Sequence, residues 1–543
     1  MFSKKIIAVC LLFCVAEKTI AQPKNNSTTK PKLVVGLVID QMRWDYLYRF
    51  ESRYSQNGFK RLQSKGYSFE NTIIPYVPTV TAAGHASVYT GAGPATNGIV
   101  GNNWYDKKYK KNVYCTDDST VVGIGNADEQ GKMSPKNMYA TTITDELRLS
   151  NNFKSKTIGI ALKDRGAILP AGHSANAAYW YDEKTGKWIT SSYYGSALPT
   201  WVNNFNAKDE AGNYMNKNWN TLFPINTYTQ STIDNSTSEQ DLGELKSHTF
   251  PYKLNEAAKK KYSLFKATPF ANSFTFNFAK EAIVNENLGK NTVTDFLTIS
   301  ISSTDYIGHT FGPNSIEIED TYLRLDLDIA NFLQFLDAKI GANNYTVFLT
   351  ADHGAAHSIN FLKENKLPGT FFKTSTLETE LKNLCKENFG VDPIISEDNF
   401  QIYLDYELLE KNNIEAQKVN NLIIAFLKKK EYIMDAFETA KINSTTIAEP
   451  MKSRFINGYN VQRSGDIQIL LKPGFSTYEK GTGHSVWNPY DAHIPLLFYG
   501  WGIPTGKTYR EVYMTDIAPT LAALLQIQVP SGNVGKPLVE IIK

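Results

Sequence analysis

"YTVFLTADHG" (Tyr345–Gly354) is the stretch that decides the fold. Tyr345 to Thr350 is apolar and β-prone, without the strict alternation of a half-buried strand, and it runs into Asp352, His353 and Gly354. A short continuous apolar run reads as a strand covered on both faces, the habit of parallel sheets. Gly354 lets the backbone turn, so the adjacent carboxylate and imidazole can face one cavity. The same grammar recurs along the chain. "KLVVGLVIDQ" is nearly continuous from Leu33 to Ile39 and closes on Asp40. "KTIGIALKDR" runs into Lys163 and Arg165, "DFLTISISSTD" runs into Asp305, and "HIPLLFYG" follows Asp491 and overlaps His493. Helical stretches separate these runs. The clearest is Ile316 to Ile340, with Leu323, Ile329, Phe332, Phe335 and Leu336 near one face. Strands alternating with helices predict an α/β fold: a mostly parallel sheet with helices on both faces and inserted subdomains. Ligands bind such sheets beyond the carboxyl ends of the strands, where these polar residues fall.

Two regions break the rhythm. Residues 166–290 are rich in Asn, Tyr, Trp and Ser, and 360–465 hold the helix-like "TLETELKNLCKENFG" and "IEAQKVNNLIIAFLKKKEY". Both read as insertions into a single catalytic domain spanning 33–543. The start reads as a secretory signal over 1–21: Lys4 and Lys5, the apolar Ile6 to Ala16, then Thr19-Ile20-Ala21. A polar linker, 22–32, comes next. The mature chain is therefore expected in the periplasm or outside the cell. The apolar run is too short to span a bilayer, and no other segment reads as a span. With 57 basic and 54 acidic residues and a net charge of +3, nothing argues for a nucleic-acid surface. Cys115 and Cys385 remain after the signal and, far apart in sequence, read as free thiols.

Taken singly, the polar residues at the strand ends have plain readings as caps and solvated charges. Asp305 and His309 in "SSTDYIGHTFG" are four apart and can converge on one metal. Asp40, Asp352 and His353 close strands on the same edge, with His484 and His493 as further imidazoles; His357 and His85 read as packing residues. Together the Asp and His residues form an oxygen and nitrogen ligand set without thiolates, which suits zinc, and enough of it for a pair of ions. Paired ions clamp the attacking and leaving oxygens of a phosphoryl transfer. In "PYVPTVTAAGHASVYTG" (Pro75–Gly91), the small Ala82, Ala83 and Gly84 after Thr81 read as the start of a helix that other groups can approach closely. A helix start offers free N–H groups to an anion, and a threonine there is either a cap or, beside zinc, a nucleophile. Thr79 is the rival hydroxyl. Lys163 and Arg165, two apart on an extended segment, would point to one side and match a phosphate dianion.

At these residues the sequence resembles the alkaline phosphatase superfamily, and within it the secreted zinc-dependent, phosphate-irrepressible alkaline phosphatases of Bacteroidetes. "VIDQMRWDYLYRF", "IPYVPTVTAAGHASVYTG", "GIVGNNWYD", "ALKDRGAILPAGH", "SSTDYIGHTFGP", "FLTADHGAAH" and "YDAHIPLLFYGWGI" carry the resemblance over most of the chain. It implies Thr81 as nucleophile, forming a phosphothreonine, and Asn102, Lys163 and Arg165 as phosphoryl-binding residues. It implies one zinc on Asp305, His309 and His484, with His493 the alternative to His484. A second zinc would take Asp40, Asp352 and His353, with Thr81 between the ions. The chain departs from the family pattern at Ala83, where relatives often have Pro, and at Ser485, where Gly often follows the histidine.

The implied activity is hydrolysis of small-molecule phosphate monoesters by a monomer. A phosphodiesterase of the nucleotide pyrophosphatase type would share the ligands, the threonine and the asparagine; Lys163 and Arg165 favour monoesters, because a diester lacks the charge they neutralise. A sulfatase would need a Cys-x-Pro-x-Arg segment, which is missing. An inactive secreted binding protein would have no need of the full ligand set or of Thr81.

Overall fold

Leu33–Ile39 forms β1, Thr157–Ala161 β2, Asp295–Ile301 β3, Tyr345–Thr350 β4 and Leu496–Gly500 β5 in a computed structural model that describes residues 30–126, 128–257 and 261–542. The expected signal peptide and residues 22–29 of the expected linker lie outside the described residues. Every residue of β1, β3 and β4 is buried, so layers cover both faces of the sheet, as the unalternating apolar runs require. β1 lies between β3 and β4 and is parallel to both; β2 pairs with β3 in parallel, and β5 closes the other side antiparallel to β4. Among the described residues the sheet has eleven strands.

The register aligns the strand ends. Leu37 sits level with Ile299 and with Leu349, and Ile160 is level with Ile299. The carboxyl ends of β1, β2, β3 and β4 therefore reach one rim together. Helices around this sheet include Thr81–Thr90 (α1), Asp164–Ala171 (α2), Ser303–Phe311 (α3) and Ile316–Lys339 (α4). Helix α4 matches the expected span within a residue and buries Leu323, Ile329, Phe332 and Leu336, while Ser315 caps it by accepting from the Ile318 N–H at 3.2 Å.

The first expected insertion begins later than the sequence suggests. Residues 166–171 belong to α2, and Ala177–Asp182 and Lys187–Ser191 extend the main sheet beyond β2. Tyr179, Trp180, Tyr181 and Trp188 are buried there, and Trp188 stacks on Phe274 and Phe278 at 5.1 and 4.3 Å. Aromatics pack a covered strand as well as aliphatics do, so their polar atoms hide a core strand in the sequence. The second region carries its own four-stranded sheet of Ile394–Asp398, Gln401–Leu404, Ile467–Leu471 and Ile433–Glu438. Leu377, Leu381, Ile402, Val419, Ile423 and Ile469 fill a separate core beneath it. The strand Ile467–Leu471 places its end past residue 465. Cys115 and Cys385 are buried and unpaired, each in a different cluster. Among the described residues, no helix is long and apolar enough to cross a membrane.

Candidate active site

Asp40 comes directly after β1, and its N–H bonds the Ile301 carbonyl at 3.1 Å, which locks it to the end of β3. Asp305 lies in the first turn of α3, one turn before His309, so both side chains fall on one helix face. Asp352 and His353 lie just past β4. His484 comes from the distant loop after the second subdomain. Two ligand groups result: Asp305, His309 and His484, and Asp40, Asp305 and His353; within each, the offered atoms lie within 4.8 Å of one another. Asp352 reaches the second group through Oδ2, 3.5 Å from His353 Nε2, while Asp40 Oδ1 is 3.6 Å from the same nitrogen.

The imidazoles are aimed. His309 Nδ1 meets the Thr482 carbonyl at 2.8 Å, His353 Nδ1 the Gly354 carbonyl at 3.0 Å and His484 Nδ1 the Thr79 carbonyl at 2.7 Å. A carbonyl only accepts, so each Nδ1 carries a proton and each Nε2 faces the cluster. That is how metal-ligating histidines are oriented. Both Asp40 oxygens, Asp352 Oδ2 and His353 Nε2 are buried without a hydrogen-bond partner; Asp40 Oδ2 has only the Lys163 ammonium, 2.6 Å away as an ion pair.

Charge explains the strain of this arrangement. Burial, then the Asp352 charge, raises the Asp40 carboxyl well above its ordinary range. Burial pushes Asp305 the same way, but His309 and Lys163 outweigh it and hold that carboxyl well below the usual range. Asp352 is likewise held low against burial, by His353 and His85. Burial lowers the proton affinity of His353 and His484, which favours the form that offers a lone pair. Three buried carboxylates around one ammonium leave uncompensated negative charge, which a cation in the ligand groups would balance. The donor set therefore fits bound metal.

Thr81 is the first residue of α1, and the N-cap is Val80, so the Thr81 hydroxyl is not spent on capping. It accepts from Lys163 Nζ at 3.3 Å. The same ammonium lies 2.7 Å from Asp305 Oδ2, so Lys163 ties β2, β1, α3 and α1 together. Thr79 is occupied elsewhere: its hydroxyl donates to the Val486 carbonyl at 2.8 Å. Small residues in α1 have a clear use. A Cβ at Gly84 would sit 2.4 Å from the Asp352 carbonyl oxygen, so only glycine lets the helix approach β4 this closely. Asn102 turns its Oδ1 to the Ala82 N–H at 3.0 Å, at the open end of α1.

Lys163 and Arg165 do not share an extended segment. Lys163 is the N-cap of α2 and Arg165 already lies in the helix, because Gly166, Ala167 and Ile168 continue helically against the sheet. Lys163 reaches the ligand cluster, while Arg165 Nη1 donates to Tyr114 Oη at 3.1 Å. Both still line one cavity of ≈ 320 Å³, with Tyr114, Trp180, Tyr181 and Tyr306 among its walls.

Of the remaining imidazoles, His493 bonds the Glu70 carbonyl at 2.9 Å and stacks on Trp44, away from the cluster that His484 joins. His85 bridges Thr81 O and Ser300 Oγ, at 2.9 and 2.8 Å, and His357 bonds Asn314 at 2.7 Å. Sequence reasoning missed Gln41. With φ at 63°, its N–H reaches Asp352 Oδ1 at 3.1 Å and its Nε2 donates to Asp305 Oδ1 at 2.7 Å. No sequence signal marks a glutamine for a left-handed turn; Gly308 opposite leaves the room for it.

These features have counterparts among known proteins. The family model of type I phosphodiesterase / nucleotide pyrophosphatase matches residues 34–493. The chain belongs to this family, a branch of the alkaline phosphatase superfamily. It is 52% identical to alkaline phosphatase PafA of Elizabethkingia meningoseptica over 96% of each chain, and 49% identical to alkaline phosphatase PhoV of Synechococcus elongatus over 99% of each. It is 50% identical to a calcium-transporting ATPase of Myroides odoratus, over 100% of this chain and 99% of that one. The crystal structure of wild-type PafA matches it with a TM-score of 0.93 at 51% identity, covering 95% of this chain and 100% of that one.

Ser485, next to His484, has φ at 98°, a backbone region that costs a non-glycine residue about 1–3 kcal/mol. Ser485→Gly should relieve that strain, offset partly by the freer unfolded chain. Denaturant unfolding should show a gain of about 1 kcal/mol with activity retained. A lower midpoint would mean that the Ser485 side chain stabilises the turn.

Proposed function

We propose that this chain is a secreted phosphomonoesterase with paired zinc ions. The observation that carries the reading is the convergence of Asp40, Asp305, His309, Asp352, His353 and His484 beside the Thr81 hydroxyl, which is held by Lys163. Asp305, His309 and His484 would hold one zinc, and Asp40, Asp352 and His353 the other. When bound, zinc supplies Lewis acidity and lowers the proton affinity of an adjacent hydroxyl. Thr81 Oγ1 forms the new bond to phosphorus as the ester P–O bond breaks; the hydroxyl proton passes to solvent and the leaving oxygen takes one back. Water then cleaves the phosphothreonine and restores Thr81. Asn102, through its free amide N–H₂, and Lys163 and Arg165, through their cationic groups, bind the phosphoryl oxygens.

PafA has been solved as a variant with a threonine changed to serine and an asparagine, a lysine and an arginine changed to alanine. Those residue types stand in the order of Thr81, Asn102, Lys163 and Arg165, which supports this quartet as the reacting face. The names PafA and PhoV carry support the monoester reading, and the calcium-transporting ATPase among the relatives is consistent with phosphoryl transfer. The family description favours a second reading, a phosphodiesterase. Lys163 and Arg165 on one cavity wall weigh against it, because the dianion they match exists only on a monoester. The composition of 1–21 supports export to the periplasm or beyond, and the enzyme is taken as a monomer.

Exhaustive chelation should abolish activity, and zinc alone should restore it, with elemental analysis giving about two ions per chain. Restoration by magnesium only, or a content of about one, would sink the paired-zinc site.

Thr81→Ala should lose most activity and trap no phosphoryl-enzyme, while Thr81→Ser keeps more. An inactive Thr79→Ala beside an active Thr81→Ala would transfer the nucleophile role to Thr79.

Arg165→Ala should cut the second-order rate constant for a monoester by about 10- to 100-fold, because charge-assisted hydrogen bonds contribute roughly 1.5–3 kcal/mol. The constant for a diester should fall much less. Equal losses on both substrates would assign Arg165 a structural role and leave the monoester preference without its cause.

A further inference from the structure

One hairpin carries Asn102 of the proposed phosphoryl-binding face and also the tyrosine that Arg165 bonds. Among the described residues, strands Asn103–Asp106 and Lys111–Tyr114 pair only with each other. Asn102 precedes the first strand, Tyr114 ends the second, and the Cys115 N–H bonds the Asn102 carbonyl at 2.9 Å. Asn102 then meets the start of α1, while Tyr114 Oη accepts from Arg165 Nη1 and donates to Asp164 Oδ1 at 2.6 Å. A two-stranded hairpin has little stability alone, so its placement must come from what it packs on.

It packs on residues 460–466, which enter from the second subdomain. Arg463, 5% exposed, donates from Nη1 to the Gly98 and Asn137 carbonyls, each at 2.6 Å. Its guanidinium lies between the rings of Trp104 and Tyr139, 4.9 and 4.0 Å from the two centroids. Gln462 Nε2 donates to both Asp106 carboxylate oxygens at 3.0 and 2.9 Å, its carbonyl accepts from the Lys107 N–H at 3.1 Å, and Lys107 Nζ pairs with Asp466 at 2.7 Å. A buried guanidinium is costly, and the nearest carboxylate, Asp106, is 3.9 Å from its Nε. What the charge obtains in return is direction: a planar fork between two rings and two carbonyls permits one pose of the Gly98–Trp104 segment.

We propose that Arg463 is a positioning residue for catalysis, acting through Asn102: it clamps the Asn102 hairpin so that the amide meets the phosphoryl group. The proposal rests on the role of Asn102 as a phosphoryl-binding residue. Arg463 touches no ligand of the candidate metal groups and no reacting atom, so its effect must pass through the hairpin.

The test is a double-mutant cycle on the zinc-loaded full-length enzyme, using Arg463→Lys, Gln462→Ala and Asn102→Ala, with zinc content measured for each. Asn102→Ala should lower monoester kcat/KM by about 10- to 100-fold. Arg463→Lys, which keeps the charge and loses the fork, should lower it about 10-fold at unchanged zinc content and weaken inhibition by inorganic phosphate. Gln462→Ala should have a smaller effect of the same kind. In the Asn102→Ala background both further losses should nearly vanish, because the amide they position is gone. Losses that multiply instead, or an Arg463→Lys enzyme with wild-type kinetics, would overturn the clamp while leaving the role of Asn102 intact. An Asn102→Ala enzyme with undiminished activity would remove that role, and the clamp with it.

Discussion

Three carboxylates buried within reach of one another are the constraint that organises this molecule. Asp40, Asp305 and Asp352 stand at the level ends of β1, β3 and β4, where the parallel register leaves them no distance to spare. Each buried charge costs several kcal/mol in lost hydration. Lys163 neutralises part of the excess by lying against Asp40 and Asp305, and Gln41 donates hydrogen bonds to Asp305 and Asp352. What remains unbalanced is a site whose chemistry asks for bound cations.

Much of the surrounding structure is intelligible as support for that cluster. Backbone carbonyls of Thr79, Gly354 and Thr482 hold the imidazole protons on the outer nitrogens, so the inner ones need no rearrangement to bind metal. Gly84 brings α1 against Asp352, which sets the Thr81 hydroxyl at the edge of the cluster and leaves the first N–H groups of the helix open towards Asn102. The second subdomain contributes on two sides: the loop after it carries His484, and residues 460–466 seat the Asn102 hairpin.

Asp40, Lys163, Asp305, Asp352 and His353 are legible in sequence because each comes after an unalternating apolar strand, and such strands end on one rim. Trp180 and Trp188 conceal two more strands of the same sheet, since an aromatic run rich in polar atoms resembles a surface insertion until its rings are seen packed. Lys163 and Arg165 look in sequence like neighbours on one extended face. The chain instead enters α2 between them, and the helical turn sends one side chain to the carboxylate cluster and the other to Tyr114.

By itself, the sequence determined the α/β class, the rim on which chemistry would gather and the residue types available there. Those depend on local periodicity and on the turn after each strand, which are properties of contiguous residues. Only the tertiary structure decided that His484 and not His493 joins the cluster, that the Thr81 hydroxyl faces Lys163 while the Thr79 hydroxyl is tied to Val486, and that Gln41 and Arg463 matter at all. Each of those outcomes depends on partners hundreds of residues away: the Glu70 carbonyl for His493, Val486 for Thr79, Asp352 for Gln41 and Gly98 for Arg463. A hydrogen bond between distant segments leaves no periodicity in either one, so it exists only once the sheet has brought them together.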